Sequence, residues 1–325
     1  MTSSGPPSLR ELNRTLLARQ MLLERGRVPV VRAVARLVAL QAQYAPSAYV
    51  ALWSRVAGFR KEQLHDPRIV KAGVLRGTLH VMARDDFPAI IAAYIQSQRG
   101  RVKTDVGPLL AALPDEPMTR SEFFAVAERV LGTDDRWAIE FAGRLIPTVR
   151  TAPLGPWPHH KPSPFVVWRE PLPDPGEAAV RVVRAYLAAY GPATRDDIVK
   201  YTGFRMAQID PALDGLRECD GYWDAPRAPR AAGDVAAPVR FLPAFDSVIL
   251  AHRDRTRIVP AEYEESVFNK TNATVKNTFT VDGFVAGAWK IDGRRLALEA
   301  FAPLPVKWRR EVDAEGERLL AWYLS

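Results

Sequence analysis

Two glutamines, Gln41 and Gln43, stand where an apolar helical pattern should continue. Upstream of them, apolar residues recur at helical spacing: Val30, Val34, Leu37 and Val38. Gln41 takes the next position of that stripe, where a buried amide left unpaired costs about 1–3 kcal/mol. Positions i and i+2 lie about 200° apart on an ideal helix, so the two amides share a site only if the helix ends there. Pro46 favours such an ending.

The amide side chain favours one kind of chemistry. Hydrolysis of a glycosidic bond passes through an oxocarbenium-like sugar and ordinarily uses a carboxylic acid and a carboxylate. An amide does not titrate in the working range, but its carbonyl oxygen can orient a water and its dipole can stabilise positive charge. That suffices only where the leaving group is already activated. The alternative is that both side chains cap free carbonyls in a C-terminal helical turn.

Composition bounds the class of protein. The 325 residues are 47% hydrophobic and carry a net charge of +8, which is enough chain for two to four domains and favours a polyanionic partner such as nucleic acid. A single cysteine, Cys219, excludes an internal disulfide framework. No apolar run approaches the roughly 20 residues of a membrane span, and the N-terminal residues lack a signal-peptide core. We therefore expect a cytoplasmic protein that does not contact membranes.

Adjacent histidines, His159 and His160, are the one feature that suggests a metal. Neither a cysteine nor a carboxylate stands at ligand spacing beside them. The sequence therefore predicts neither a metal site nor a cofactor.

The first two thirds of the chain predict three similar helical units. Capping-box patterns begin helices at Ser8, Thr119 and Thr194. The order of three helices and then a β-ribbon is that of a winged helix, a helix-turn-helix variant. We assign residues 1–98 to a first winged helix that carries the Gln41-Ala42-Gln43 motif, 99–175 to a second helical or winged-helix unit, and 176–238 to a third.

From Val239 onward the pattern changes to strands, with hairpin-turn signals at Asp282-Gly283 and Asp292-Gly293. Five segments alternate or run apolar: Val239–Leu242, Val248–His252, Val275–Val281, Phe284–Trp289 and Arg295–Phe301. Residues 239–325 therefore predict a small antiparallel, β-barrel-like domain with a C-terminal helix from about Lys307. The fold class is α+β.

Between the predicted strands lies a short basic segment. Three arginines, Arg253, Arg255 and Arg257, follow His252 within five residues. One interpretation is a phosphate clamp beside the active cleft, and the other is a turn in which Asp254 pairs with one arginine. Both stay open at the level of sequence.

Four motifs, taken together, resemble the AlkZ-like DNA glycosylases, which are winged-helix proteins that remove bulky alkylated purines. The motifs are Gln41-Ala42-Gln43, Arg76-Gly77-Thr78-Leu79-His80-Val81, Leu242-Pro243-Ala244-Phe245-Asp246 and Val281-Asp282-Gly283 through Trp289. Their order and spacing cover nearly the whole chain. The resemblance implies that Gln41 and Gln43 are catalytic. It also implies a role in DNA repair or in the self-resistance of antibiotic producers.

With this family in view, we expect DNA contacts from the basic residues near the motifs: Arg76, His80, His252, Arg253, Arg255 and Arg257. The expected partner is double-stranded DNA with alkylated purines, bound by a monomer. A purine alkylated at N7 or N3 is cationic and leaves as a neutral base without an acid, which matches a pair of amides. The sequence leaves open whether bulky adducts or interstrand crosslinks are accepted.

One point of the mechanism and one alternative function stay open at the level of sequence. Asp85 and Asp86 would supply an acid if the fold brought one of them into the cleft. The alternative function is a non-catalytic winged-helix regulator, because tandem helix-turn-helix units alone favour DNA binding without chemistry.

Overall fold

The computed structural model describes residues 7–101, 104–151, 157, 163–269 and 271–325. The first elements are α1 (Leu9–Arg19), α2 (Val30–Arg36), β1 (Leu40–Gln41), α3 (Ala45–Arg55), β2 (Ile69–Val74), β3 (Thr78–Ala83) and α4 (Phe87–Gln98). The three strands form an antiparallel sheet in the order β1-β3-β2. Three helices followed by a β-ribbon are confirmed. The short strand β1 replaces the predicted end of a helix.

The second and third units repeat one order of elements. The second contains α5 (Gly107–Ala112), α6 (Arg120–Leu131), α7 (Arg136–Gly143), β4 (Thr148–Arg150) and β5 (Phe165–Val167). The third contains α8 (Pro175–Tyr190), α9 (Arg195–Thr202), α10 (Met206–Leu213), β6 (Glu218–Cys219) and β7 (Tyr222–Trp223). In each, one residue before the second helix bridges to the last strand: Met118 to Phe165, and Ala193 to Trp223. In the first unit the strand β1 lies between the second and third helices and pairs with the last strand, β3.

The last part of the chain is an open sheet with short helices around it. Its elements are β8 (Arg240–Leu242), α11 (Ser247–Leu250), α12 (Glu264–Val267), β9 (Phe268–Asn269), β10 (Thr274–Val275), β11 (Thr278–Val281), β12 (Phe284–Asp292), β13 (Arg295–Ala300) and α13 (Val306–Leu324). Four strands pair in the order β13-β12-β11-β8, and β9 pairs with β10 alone. The barrel-like prediction is therefore wrong, because β8 and β13 stay as edges and α13 packs on the sheet.

One predicted strand, Val248–His252, is a helix instead. The side chain of Asp246 accepts a hydrogen bond from the Val248 backbone N–H at 3.0 Å and caps α11. An apolar run of this length fits a buried helical turn as well as a strand, so periodicity does not separate the two. The capping boxes predicted at Ser8, Thr119 and Thr194 are confirmed.

Buried arginines tie α1 to distant parts of the chain. Arg19 pairs with Asp224 at 2.7 Å, and Arg14 pairs with Asp282 in the β11–β12 turn. Apolar residues of the first unit, the third unit and the final sheet share one core, while the second unit has its own. No helix in the described ranges is long and apolar enough to cross a membrane.

Candidate active site

The glutamine segment lies on an extended strand, not on a helix. The prediction that Gln41 ends a helix is wrong, because α2 stops at Arg36 and Val38 takes the left-handed conformation with φ 65°. That conformation is rare for a β-branched residue. Side chains of the third unit hold this turn: Tyr190 donates to the Leu37 carbonyl at 2.9 Å, and Tyr201 donates to the Ala39 carbonyl at 3.3 Å.

The ladder between β1 and β3 continues as far as Ala42. Gln41 pairs across the ladder with His80, and the Ala42 N–H donates to the Leu79 carbonyl at 2.8 Å. Successive side chains of a strand alternate between its two faces, so Gln41 lies on the face opposite to Leu40. Gln43 follows in a bend beyond the end of β1, and its side chain is exposed.

The two amides differ in how they are held. Arg76 donates from Nη2 to Gln41 Oε1 at 3.3 Å and from Nη1 to the Tyr201 carbonyl. Since a guanidinium only donates, this contact fixes the Gln41 carbonyl towards Arg76 and leaves its second lone pair available. Gln43 is exposed, and its side chain makes no hydrogen bond within the described ranges. One amide is therefore preorganised and the other is open to solvent.

Gln41 lies in the wall of a cleft of about 520 Å³, which we call the glutamine cleft. Three cations line it, Arg76, Lys200 and Arg255. Burial, followed by the charges of Arg255, Arg76 and Arg253, lowers the pKa of Lys200. The cleft therefore has a positive potential suited to a polyanion.

In the described part of the chain, no unpaired carboxylate lines the glutamine cleft. Glu264 lines the cleft, and its carboxylate pairs with Arg255 at 3.0 Å. Asp85 and Asp86 lie at the start of α4 and do not line the cleft; Asp86 pairs with Arg181 at 2.8 Å. The carboxylates that would have offered acid catalysis are absent from this wall.

An apolar cleft of about 530 Å³ adjoins the first, and we call it the aromatic cleft. Tyr44, Phe245, Trp289 and Leu298 give it its apolar lining, and Phe245 lines both clefts. Tyr44 is 48% exposed and follows Gln43 directly. A flat apolar group therefore has a surface beside the glutamine segment.

Three residues of the glutamine cleft have a left-handed backbone. Arg76, Phe245 and Ala273 line it with φ of 57°, 61° and 53°. Non-glycine residues in the left-handed region cost about 1–3 kcal/mol each and cluster at functional sites. Ala273 lies outside the quoted motifs, so its strain adds to them.

Three residues predicted to contact DNA are in the interior, which is a correction of their predicted role. His80 and His252 are each 1% exposed, and Arg257 is 4% exposed. Burial and then the charge of Arg76 lower the pKa of His80 to about 3, so its imidazole is neutral. Arg257 donates to the Pro192 carbonyl at 2.9 Å, and His252 contacts the Tyr190 carbonyl at 3.0 Å. These side chains support the cleft from behind.

The basic segment after His252 is divided between three environments. Arg253 is exposed and pairs with Asp196 at 2.7 Å, Arg255 lines the cleft, and Arg257 is buried. Asp254 does not pair with an arginine in the described structure; it accepts from the Thr256 N–H at 2.9 Å. The interpretation of an internally paired turn is therefore wrong.

Sequence reasoning missed two lining residues, Lys200 and Glu264, which lie on helices far apart in the chain. Phe245 belongs to a quoted motif, but its position between two clefts has no local signal. His159 and His160 lie outside the described residues. Among the described residues, no group of three His, Cys, Asp or Glu could hold a metal ion.

A family model described as DNA glycosylase AlkZ-like matches residues 34–322. The chain belongs to the AlkZ-like DNA glycosylase family. The solved structure of the DNA glycosylase AlkZ from Streptomyces sahachiroi superposes with a TM-score of 0.78 over 97% of each chain at 21% sequence identity, which shows the fold. Family membership makes the chain a DNA glycosylase and decides against the non-catalytic regulator.

The comparison by sequence covers less of the chain. The interstrand DNA cross-link repair glycosylase of Streptomyces sahachiroi is 28% identical over 153 residues. That match covers 42% of this chain and 41% of the relative, so it spans about two fifths of the relative's length. The substrate therefore has to be argued from the clefts.

Proposed function

We propose that this AlkZ-like chain is a monofunctional glycosylase that hydrolyses the N-glycosidic bond of purines made cationic by N7 or N3 alkylation. Gln41 and Gln43 are its catalytic residues, and double-stranded DNA is bound by a monomer. The observation that carries the proposal is the Gln41 amide, held by Arg76 in the wall of a basic cleft whose carboxylate is already paired, with the exposed amide of Gln43 two residues further along the chain. This wall offers dipoles and hydrogen-bond acceptors, and no free carboxylic acid.

In the proposed reaction the lesion supplies the activated leaving group, and the protein orients the water and stabilises the sugar cation. The bond from C1′ to N9 of the alkylated purine breaks, and its electron pair neutralises the cationic base. Water adds to C1′ and releases a proton to solvent. Gln43, whose carbonyl is free, orients the water, while Gln41 is held by Arg76 with one lone pair left for the same water. Both dipoles stabilise the positive sugar, where removing one preorganised group typically costs about 3–4 kcal/mol.

The repeated topology supports DNA binding by winged helices, and we infer that all three units belong to this class. Each has a short strand or bridge before a helix, and that strand or bridge pairs with the last strand of the following hairpin. A winged helix commonly contacts DNA through one helix and the hairpin beside it. We retain Arg76, Arg253 and Arg255 as DNA contacts and add Lys200.

The aromatic cleft supports acceptance of bulky adducts. It adjoins Gln43 through Tyr44, and its apolar lining would cover the large apolar part of an adduct. The Streptomyces sahachiroi relative is named for repair of interstrand cross-links, which agrees with a bulky substrate. We infer that bulky N7 adducts, and crosslinks built from them, are substrates.

A panel of duplexes tests the proposed substrate class. Each duplex carries uracil, N7-methylguanine, N3-methyladenine or one bulky N7 adduct, and excision is measured by strand cleavage at the abasic site. We expect release of the three charged lesions and retention of uracil, because the carboxylate that lines the glutamine cleft is paired with Arg255 and supplies no carboxylic acid for a neutral leaving base. Efficient uracil release would overturn the mechanism.

A further inference from the structure

A second recess lies across the β2–β3 segment from the glutamine cleft. Arg76 and Thr78 line the glutamine cleft, whereas Gly77 and Leu79 line this recess, between the first and second units. Its volume is about 240 Å³. Since a water molecule takes about 30 Å³ of liquid, the recess holds the volume of about eight waters. We call it the cationic pocket.

A buried lysine without a partner lies in the wall of this pocket. Lys71 on β2 is 5% exposed and makes no hydrogen bond or ion pair with any described residue. Burial, followed by the charge of Arg150, lowers the pKa of Lys71 to about 8. An unpaired buried ammonium is costly, and folded proteins normally pair such a group. Lys71 therefore lacks a counterion in the described protein.

Further cations and an unpaired hydroxyl surround the same space. Arg144 and Arg150 line it, and neither pairs with a carboxylate among the described residues. Arg150 donates to the Ser163 carbonyl at 2.6 Å, which leaves its charge uncompensated. The buried hydroxyl of Tyr94 has no hydrogen-bond partner. It lies close to Gly77, since a Cβ atom added to that glycine would be 3.3 Å from the hydroxyl oxygen. The wall thus combines positive charge with an unsatisfied polar group.

The carboxylate that lines the described part of the pocket already forms an ion pair. Glu140 is the carboxylate of the described lining, and it pairs with Arg120 at the partly exposed rim. The side chain of Arg120 is 66% exposed and that of Glu140 is 38% exposed. The inner cations are therefore not neutralised by the protein that the structure describes.

We propose that the cationic pocket binds a phosphoryl dianion, with Lys71, Arg144 and Tyr94 as donors. A singly charged carboxylate would leave two of the three inner cations without charge compensation, whereas a phosphoryl group carries about two charges and three strong acceptor oxygens. The anion comes from a free nucleoside monophosphate or from the terminal phosphate of a DNA strand, since both carry about two charges, whereas an internal phosphodiester carries one. The site does not depend on the reaction assigned to the two glutamines.

Thermal unfolding in phosphate tests the site. We compare sodium phosphate with sodium chloride at equal ionic strength, for the wild type, Lys71→Met and Lys307→Met; Lys307 is an exposed lysine on α13. The unfolding temperature should rise in phosphate for the wild type and for Lys307→Met, because a ligand of the folded state stabilises it. Lys71→Met should lose that rise and unfold no lower than the wild type in chloride, because an unpaired charge has been removed.

Two further arms complete the test. If Lys71→Met fails to fold, Arg144→Gln is measured in its place and should also lose the phosphate-dependent rise. Binding of deoxyadenosine monophosphate and of a duplex with 5′-terminal phosphates then separates the sources: loss of mononucleotide binding alone identifies a free nucleotide, and weakened duplex binding identifies a terminal DNA phosphate. An equal rise in wild type and both pocket variants, or no rise beyond chloride in the wild type, would overturn the proposal.

Discussion

His80 lies directly across the β1–β3 ladder from Gln41, so the two side chains are neighbours on one face of the sheet. The Nδ1 atom of His80 lies 2.9 Å from the Thr78 carbonyl. A protonated His80 would place a second cation beside Gln41, in addition to Arg76. Burial, followed by the charge of Arg76, prevents this by lowering the pKa of His80 to about 3.

The low pKa of His80 predicts a loss of stability in acid. Below pH 6.5 the His80 imidazole binds a proton in the unfolded chain but not in the folded protein. The free energy of unfolding therefore falls as the pH drops from 6.5 towards 3. At pH 5 the loss is about 2 kcal/mol, from 1.36 kcal/mol for each pH unit. Urea unfolding at pH 7.5 and pH 5 measures it. His80→Gln should reduce the pH-dependent loss by about this amount.

A matched control for His80 is His65, which is exposed in the same unit. His65→Gln should lose as much stability between pH 7.5 and pH 5 as the wild type does. If His80→Gln loses as much as well, the buried imidazole is not the group that couples folding to pH.

At the scale of elements, a buried ion pair joins α3 to the segment between β8 and α11. Arg55 contacts both carboxylate oxygens of Asp246, at 2.7 and 2.9 Å, and both side chains are fully buried. Phe245, which lines both clefts, precedes Asp246. The pair therefore fixes an aromatic wall of the site relative to the helix that follows the glutamines.

Removing one charge of this pair should be costly. Asp246→Asn leaves the Arg55 guanidinium buried without a counterion, so we expect a loss of about 3–5 kcal/mol in the free energy of unfolding. Urea denaturation measures it, with Asp313→Asn on the exposed face of α13 as the control. A loss below about 1 kcal/mol in Asp246→Asn would show that Arg55 finds another partner.

Local signals were sufficient for many elements of this fold. The capping boxes at Ser8, Thr119 and Thr194 are formed by residues three apart, so the sequence alone predicts where these helices begin. The strand β1 is different. The chain leaves α2 because Val38 is held in a left-handed turn by Tyr190 and Tyr201, more than 150 residues away. No local pattern contains that information.

The candidate site shows the same division. Gln41 and Gln43 could be singled out from sequence because amides interrupt an apolar stripe and match a family motif. The position of Gln41 on a strand could not be, since the turn before it is held by residues distant in the sequence. Burial also decided against His80, His252 and Arg257 as DNA contacts, because a cationic residue type does not reveal whether its side chain reaches solvent.

At the scale of the whole molecule, the positive charge around the glutamine cleft comes from separate units. Arg76 belongs to the first unit, Lys200 to the third, and Arg253 and Arg255 to the segment after it. Their convergence requires the shared core and the buried arginines that hold α1 to the later chain. A DNA backbone at the cleft would therefore contact residues from across the sequence.

Duplex binding should weaken with salt in proportion to these contacts. Each phosphate contact contributes about 0.9 to the log–log slope. Lys200→Gln combined with Arg253→Gln should therefore flatten the slope by about 2, measured by fluorescence anisotropy from 50 to 300 mM salt. Lys307→Gln combined with Arg310→Gln, on α13, is the matched control and should leave the slope unchanged. Equal slopes for both double variants would place DNA elsewhere.

Single-turnover excision of N7-methylguanine from a duplex tests the catalytic assignment most directly. Gln41→Ala and Gln43→Ala should each slow excision by about 10²–10³ while duplex affinity is kept, because each removes a dipole that acts in the transition state. Gln63→Ala, whose side chain accepts from the Arg60 N–H away from the cleft, should excise as the wild type does. Gln43→Ala should also unfold as the wild type, since its side chain is exposed. Excision within a few-fold of wild type in either the Gln41 or the Gln43 variant would contradict the assignment of these two glutamines.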